Sequence, residues 1–215
     1  MKKPHVPVAL EGLPFILFAA FATLIAALAG GKALALAGLA LTAFVLYFFR
    51  DPSRVVPHED NLLVSPADGR VILIEQVEDE RYLKAKAQKI SIFMNVFDVH
   101  VNRAPLAGRV ERIDYAPGRF YSADSPRAAL ENETCAVVLD AGGGRRLACV
   151  QMAGLIARRI VCWAEPGDTL AKGVRFGLIR FGSRVDLYLP LDLRLELKRG
   201  QRVKAGETVL GSFPA

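Results

Sequence analysis

The sequence predicts a mainly β domain, a β-rich barrel or sandwich with duplicated hairpins, preceded by an N-terminal α-helical membrane hairpin. Three observations carry this reading: two long apolar runs near the N-terminus, short alternating runs punctuated by Gly and Pro after them, and two internal echoes of a turn followed by a strand. The chain has 215 residues, and its apolar fraction of 52% with a mean hydropathy of +0.27 directs attention to membrane segments first.

Between Glu11 and Lys32 lie twenty uncharged residues, and between Lys32 and Arg50 lie seventeen more. Each run is close to the roughly 17 to 25 residues a helix needs to cross the hydrocarbon core. Gly30-Gly31-Lys32 is the only break, so residues 1–50 are expected to form a hairpin. Lys2 and Lys3 precede the first run, and Arg50 and Arg54 follow the second. The positive-inside rule then puts both ends, and the domain that follows, on the cytoplasmic side of the cell membrane. A cleaved signal peptide ending at Ala27-Leu28-Ala29 is the competing reading, against which the second apolar run argues.

The net charge of +6 and the pI of 9.4 call for an anionic partner. No aromatic-studded basic stripe is present, so membrane lipid is expected and nucleic acid is not. Cys135, Cys149 and Cys162 are odd in number and too scattered for a zinc site. They read as reduced core residues, and no metal is expected.

Residues 51–61 form a Pro- and charge-rich linker, and residues 62–215 the β domain. Strands are expected at 69–74, 89–95, 109–115, 136–139, 147–152, 160–164 and 185–189. Only 125–132 and 96–101 suggest short helix or irregular structure. Pro66-Ala67-Asp68-Gly69-Arg70-Val71 is echoed by Pro105-Leu106-Ala107-Gly108-Arg109-Val110. Gly167, Leu170 and Gly173 are echoed at the same spacing by Gly200, Val203 and Gly206. The stretch LKRGQRVKAGETVLG is similar to the hybrid-like hairpins that carry biotin or lipoyl groups. No lysine sits at the exposed turn as it does in those carriers, which argues against a swinging arm.

Four stretches carry candidate chemistry. SPADGRV puts Asp68 at a sharp turn, which Asp-Gly turn chemistry alone also explains. FMNVFDVHVNRAP crowds Asp98, His100, Asn102 and Arg103 together, and His100 is the only histidine of the β domain. QMAGLIARRIVCW sets Arg158 and Arg159 after Gly154, either as a solvated face or as forks for phosphate or carboxylate. RFGSRVDLYLP places Gly182-Ser183 ahead of an alternating run that looks like an edge or half-buried strand. A bulge or tight entry turn is the plain explanation of that pair.

Together YFFRDPSR, SPADGRV, FMNVFDVHVNRAP, GLIARRIVCW and RFGSRVDLYLP, in this order behind an apolar hairpin, resemble the short form of the phosphatidylserine decarboxylase proenzyme family. The resemblance covers essentially the whole chain. It implies self-cleavage between Gly182 and Ser183, with Ser183 becoming a covalent pyruvoyl group at the new N-terminus. It further implies that the pyruvoyl ketone forms a Schiff base with phosphatidylserine and accepts the electrons left as CO2 departs, yielding phosphatidylethanolamine. The partners implied are phosphatidylserine and the two chains, α and β, cut from one precursor; whether the enzyme is a homo-oligomer stays open.

The resemblance assigns catalysis to Ser183, His100 and Asp68, and the lipid phosphate falls to Arg158, Arg159 or Arg103. The family's long form has Leu-Gly-Ser-Thr at the cleavage site and two histidines three residues apart. This chain has Phe181-Gly182-Ser183-Arg184, and Arg103 stands where the second histidine would fall. The base that activates Ser183 is therefore either His100, serving twice, or Asp68 acting directly. A literal Leu-Gly-Ser recurs at Leu210-Gly211-Ser212, where a cut would release too little chain to hold a pyruvoyl group in place. Two alternatives stand beside the main reading: the same chemistry on an ether-linked archaeal-type phosphatidylserine, and a non-enzymatic membrane-anchored β-sandwich module.

Overall fold

The computed structural model describes residues 7–125, 127–155, 159–180 and 183–214. They fall into two compact units, Met1–Ser53 and Arg54–Ala215.

In the first unit a short 3-10 turn, Leu10–Gly12, runs into α1 (Leu13–Leu28), and Gly30, at φ 77°, turns the chain into α2 (Lys32–Phe48). The two helices meet where Gly38 lies against Thr23, so closely that a Cβ on Gly38 would stand 2.6 Å from the Thr23 hydroxyl. The Thr23 hydroxyl lies 2.7 Å from Ala19 O, the Thr42 hydroxyl 2.9 Å from Gly38 O, and the two hydroxyls 3.2 Å from each other, so each hydrogen has an acceptor within the seam. Each polar group of the seam is thus satisfied without water. At the open end Ala9 N–H donates to Phe49 O, and Phe15 stacks on Phe49. Leu17, Phe18, Leu28 and Leu36 face outward and are mostly exposed. Leu10–Leu28 is long and apolar enough to cross a membrane, with mean hydropathy 2.0, while the apolar α2 is shorter. By length and composition alone, Leu10–Leu28 is a candidate membrane span.

The second unit contains β1 (Leu62–Val64), β2 (Gly69–Asp79), β3 (Ala85–Met94), β4 (Val101–Arg103) and β5 (Gly108–Ala116). After the short α3 (Ala128–Glu131) come β6 (Thr134–Asp140), β7 (Arg146–Ala153), β8 (Ile160–Cys162), β9 (Thr169–Leu170) and β10 (Arg175–Ile179). The chain closes with β11 (Ser183–Leu189), β12 (Arg194–Leu195), β13 (Arg202–Val203) and β14 (Val209–Ser212). Eight strands form one antiparallel sheet in the order β13-β2-β3-β11-β7-β6-β5-β9. Two three-stranded sheets, β1-β14-β12 and β4-β10-β8, accompany it. Val71, Ile92, Val185 and Leu187 of the large sheet share one apolar core with Leu63, Phe176, Ile179 and Leu210 of the small ones.

The two sequence echoes are the same structure built twice. Val203 pairs with Gly69 at one edge of the large sheet, and Leu170 pairs with Gly108 at the other. Val71 N–H donates to Gln201 O at 2.9 Å, and Val110 N–H donates to Asp168 O at 2.8 Å. The copies also bond each other reciprocally: Val64 N–H donates to Pro105 O and Arg103 N–H donates to Pro66 O, both at 2.9 Å. Such reciprocity is what an approximate two-fold relation requires. The register slips of β2 and β5 fall at equivalent places, Val71/Leu73 and Val110/Arg112.

One expectation is corrected. The strand after Gly182-Ser183 is not an edge: β11 lies in the interior of the large sheet, paired along both sides, and is buried almost throughout. Its polar alternation reflects a buried ion pair, with Arg184 Nε and Nη2 each 2.6 Å from an Asp186 carboxylate oxygen. Residues 96–100 are irregular, as expected, and turn the chain into β4.

Candidate active site

The pairing register brings three chain segments to one end of the large sheet. β3 finishes at Met94, β7 finishes at Ala153, and β11 starts at Ser183 between them. Ser183 is fully buried, and its hydroxyl donates to Met94 Sδ at 3.4 Å. The same sulfur accepts from Asn102 Nδ2 at 3.8 Å, and Asn102 Oδ1 accepts from Gln151 Nε2 at 2.9 Å. β10 passes this amide pair at Gly177, where a Cβ would meet Gln151 Nε2 at 2.7 Å and Val161 O at 2.5 Å. A polar chain thus crosses from β7 to β4 beneath the serine. Gln151 Oε1 is buried and has no hydrogen-bond partner among the described residues. Gly182, the other half of the expected cleavage pair, lies outside the described residues.

His100 is fully buried immediately before β4. Its backbone carbonyl accepts from Ile179 N–H at 3.2 Å, which ties it to the chain four residues ahead of Ser183. Its Nδ1 lies 3.0 Å from Asp98 O. A carbonyl only accepts, so Nδ1 carries the hydrogen and Nε2 is left as the atom that takes up or gives away a proton.

Asp68 opens β2, and at the next residue, Gly69, a Cβ would overlap Phe93 O of the adjoining strand. That close approach sets Asp68 at the same sheet end as Met94 and Ser183. Its carboxylate is heavily engaged: Arg54 Nη2 donates to both oxygens at 2.9 and 2.8 Å, and Ala205 N–H donates to Oδ1 at 2.8 Å. These three hydrogen bonds fix where the carboxylate stands.

The arginines are dispersed. Arg103 is buried and donates through Nη1 to Gly173 O at 3.1 Å, so its fork faces protein. Arg159 is exposed, with its carbonyl accepting from Arg180 N–H, and Arg158 lies outside the described residues. At the recurring Leu-Gly-Ser, Gly211 and Ser212 sit within β14 between β1 and β12, and the Ser212 hydroxyl donates to Glu196. All three cysteines are free thiols. The fold brings Cys135 beside Cys162, whose hydrogen bond pushes the Cys135 thiol up and lowers that of Cys162. Among the described residues no group of three or more metal-ligating side chains converges.

Sequence reading missed Met94, Gln151 and Arg54. Met94 and Gln151 sit in apolar strands where each passes for a core residue. Arg54 was readable only as a charge in a linker, although YFFRDPSR contains it.

A buried serine heading an interior strand, with a proton-carrying histidine in the neighbouring segment, suits an enzyme better than an inert β module. The comparisons with known proteins agree on which. The family model described as phosphatidylserine decarboxylase matches residues 41–211. A phosphatidylserine decarboxylase proenzyme of Desulfotalea psychrophila is 58% identical over 213 residues, covering 99% of this chain and 100% of that one. Those of Ralstonia nicotianae and Geotalea uraniireducens are 52% and 48% identical, covering 98% and 100% of this chain and 97% and 100% of theirs. The chain belongs to the phosphatidylserine decarboxylase family.

Proposed function

We propose that this protein is a membrane-associated phosphatidylserine decarboxylase that makes its own pyruvoyl group by cutting itself between Gly182 and Ser183. The observation that carries the proposal is the place of Ser183, buried at the head of a strand held on both sides by β3 and β7. A backbone cut in front of such a strand leaves it paired, and β13 and β14 bind the same downstream segment to β2 and β1. The two chains stay together after cleavage, with the new N-terminus fixed inside the site.

In this reading the Ser183 hydroxyl attacks the Gly182 carbonyl, exchanging the amide for an ester and freeing the Ser183 amine. Loss of the Ser183 Cα proton then breaks the Cβ–O bond and releases the upstream chain as a carboxylate. Water enters and ammonia leaves, turning the former serine into a ketone. That ketone supplies an electron sink for the carbanion formed when CO2 departs. His100 Nε2 is the proton carrier: with Nδ1 held on Asp98 O, it takes the hydroxyl proton during maturation and protonates carbon during turnover. Arg54 and the Ala205 amide fix Asp68 at the site's edge. Arg159, exposed after β7, is assigned with Arg158 to the lipid phosphate. The charges Lys2, Lys3, Arg50 and Arg54 favour a cytoplasmic position for the catalytic unit.

The test is Ser183→Ala in the full chain, followed by denaturing mass analysis and CO2 release. The variant is expected to fold, to remain one chain and to be inactive, while the wild type yields the Ser183–Ala215 fragment. A variant cut as efficiently as the wild type would refute the assignment and turn attention to Gly211-Ser212. His100→Ala tells the two duties of the imidazole apart. An uncut chain assigns it to maturation, and a cut chain with turnover lowered by about 10² to 10⁴ assigns it to carbon protonation.

A further inference from the structure

Ser183 changes its chemistry during the proposed maturation, and the side chain beside it has to suit both forms. In the precursor its Cβ carries a hydroxyl. When the ester made from that oxygen is eliminated, Oγ leaves as part of the Gly182 carboxylate, and Cβ takes up a proton as the dehydroalanine tautomerises. Water then replaces the imine nitrogen, ammonia departs, and a methyl ketone remains. A buried hydroxyl needs an acceptor, whereas a buried methyl needs an apolar neighbour. An amide or carboxylate at that place would satisfy the first form and be orphaned by the second. The sheet register decides what stands there. Ser183 lies directly opposite Met94 of β3 and Ala153 of β7, opposed residues share a face of the sheet, and all three are fully buried. The hydroxyl donates to Met94 Sδ at 3.4 Å. The sulfur is itself held in place: it accepts from Asn102 Nδ2 at 3.8 Å, and Asn102 Oδ1 accepts from Gln151 Nε2 at 2.9 Å. Gln151 Nε2 also reaches Val161 O at 3.5 Å. A backbone carbonyl only accepts, so it sets which way the Gln151 amide faces, then Asn102, and Asn102 turns its N–H to the sulfur.

We propose that Met94 aims the Ser183 hydroxyl for self-cleavage, its thioether serving as an acceptor before the cut and as an apolar wall for the pyruvoyl methyl after it. The proposal rests on the reading of the chain as a self-processing decarboxylase and adds a part for Met94 in the maturation step. A thioether accepts a hydrogen bond weakly and takes up no proton at neutral pH. It therefore fixes the direction of the O–H while leaving the proton for His100 to remove. Asn102 and Gln151 act through the sulfur, as positioning residues.

The experiment uses the full chain and follows release of the Ser183–Ala215 fragment, then CO2 formed per cut chain. Met94→Leu keeps volume and apolarity and removes the acceptor, so self-cleavage should slow by about five- to tenfold, the worth of one hydrogen bond. Met94→Gln keeps an acceptor but buries an amide that draws water to the ketone. It should cut about threefold faster than the leucine variant and turn over about fivefold more slowly per cut chain. That crossing of the two variants is a result a merely structural role would not give. A shape-neutral check exchanges the sulfur for CH2. Met1, Met94 and Met152 are the three methionines, so in a Met152→Leu background norleucine incorporation alters Met94 alone beyond Met1. This chain should be slowed as the leucine variant is. Hydroxylamine, which cleaves esters, should bring neither slowed chain to the wild-type rate, because the slow step is the attack that forms the ester. Equal cutting by wild-type, leucine and norleucine chains, restoration by hydroxylamine, or absence of the crossing would each overturn the role of Met94. A wild-type chain that never releases the Ser183–Ala215 fragment would instead count against the functional reading.

Discussion

The turns that open β2 and β5 are held by matching backbone hydrogen bonds, and their side chains differ at two places, one apolar (Ala67 against Leu106) and one a carboxylate. In the first, Asp68 precedes Gly69; in the second, Ala107 precedes Gly108. The second copy is an internal control on the first. If Asp68 were present for turn chemistry, its counterpart would need a side-chain acceptor too, yet the chain turns there with a methyl group. The carboxylate of the first copy therefore serves something the second copy lacks. In the structure it binds Arg54 and the Ala205 amide next to the strand ends that carry Met94 and Ser183.

The strongest way to break this comparison is to make the first copy like the second. Asp68→Ala is expected to retain the fold and to slow self-cleavage by about a hundredfold, the low end of what a misplaced acid–base group costs. It should also lose about 2 to 4 kcal/mol of stability, because Arg54 is nearly buried and, among the described residues, keeps only Glu207 at 3.6 Å as an ion-pair partner. Adding Arg54→Leu removes the stranded charge. The double variant should recover much of the stability and none of the processing, as read by denaturant melts and a denaturing gel. Recovery of processing along with stability would reduce Asp68 to a structural counter-ion.

Glycines test the symmetry itself. Gly200 and Gly167 are equivalent, have φ of 88° and 98°, and border open space or only the end of an arginine side chain. Gly206 and Gly173 are equivalent too, with φ of 75° and 77°, but they face each other across the junction of the copies. A Cβ on Gly173 would stand 2.3 Å from Val56 Cγ2. Gly173→Ala should therefore cost about 3 kcal/mol, combining the left-handed penalty with overpacking. Gly200→Ala should cost about 1 kcal/mol, from the backbone term alone. Similar losses from both, in thermal or denaturant unfolding, would mean that the junction relaxes more freely than its contacts indicate.

The long strands β2, β3 and β5 were legible because each keeps one apolar face for several residues, and β6 and β7, buried on both faces, because each is a long apolar run bounded by polar residues. β1, β4, β9, β12 and β13 have two or three residues each, too few to display a period. β10 reads Arg-Phe-Gly-Leu-Ile and is buried on both faces, so alternation is lost. β11 misled in the opposite sense, since the Arg184–Asp186 pair imitates a solvent face although both side chains are almost fully buried. The site was half legible. Ser183, His100 and Asp68 stand in short motifs that tolerate no bland reading when taken together. Met94, Asn102 and Gln151 form one hydrogen-bonded chain only once strands distant in sequence are paired.

The smallest expected effect sharpens the comparison from the other side. Ala107 is exposed, so Ala107→Asp should change stability by no more than about 0.5 kcal/mol. It should leave self-cleavage at the wild-type rate. Placed on an Asp68→Ala background, the new carboxylate should also fail to restore processing. The copies share a backbone, but only the first has Arg54 beside it, and the Ala205 amide donates to that copy alone. A carboxylate on the equivalent turn stands where β5 meets β9, without the Arg54 and Ala205 donors that hold Asp68. The measurement is the fraction of Ser183–Ala215 released over time in the double variant. Rescue would mean that a carboxylate on either turn serves equally, acting through charge at a distance. Continued failure would fix the requirement to one position, the turn that Arg54 holds beside the serine.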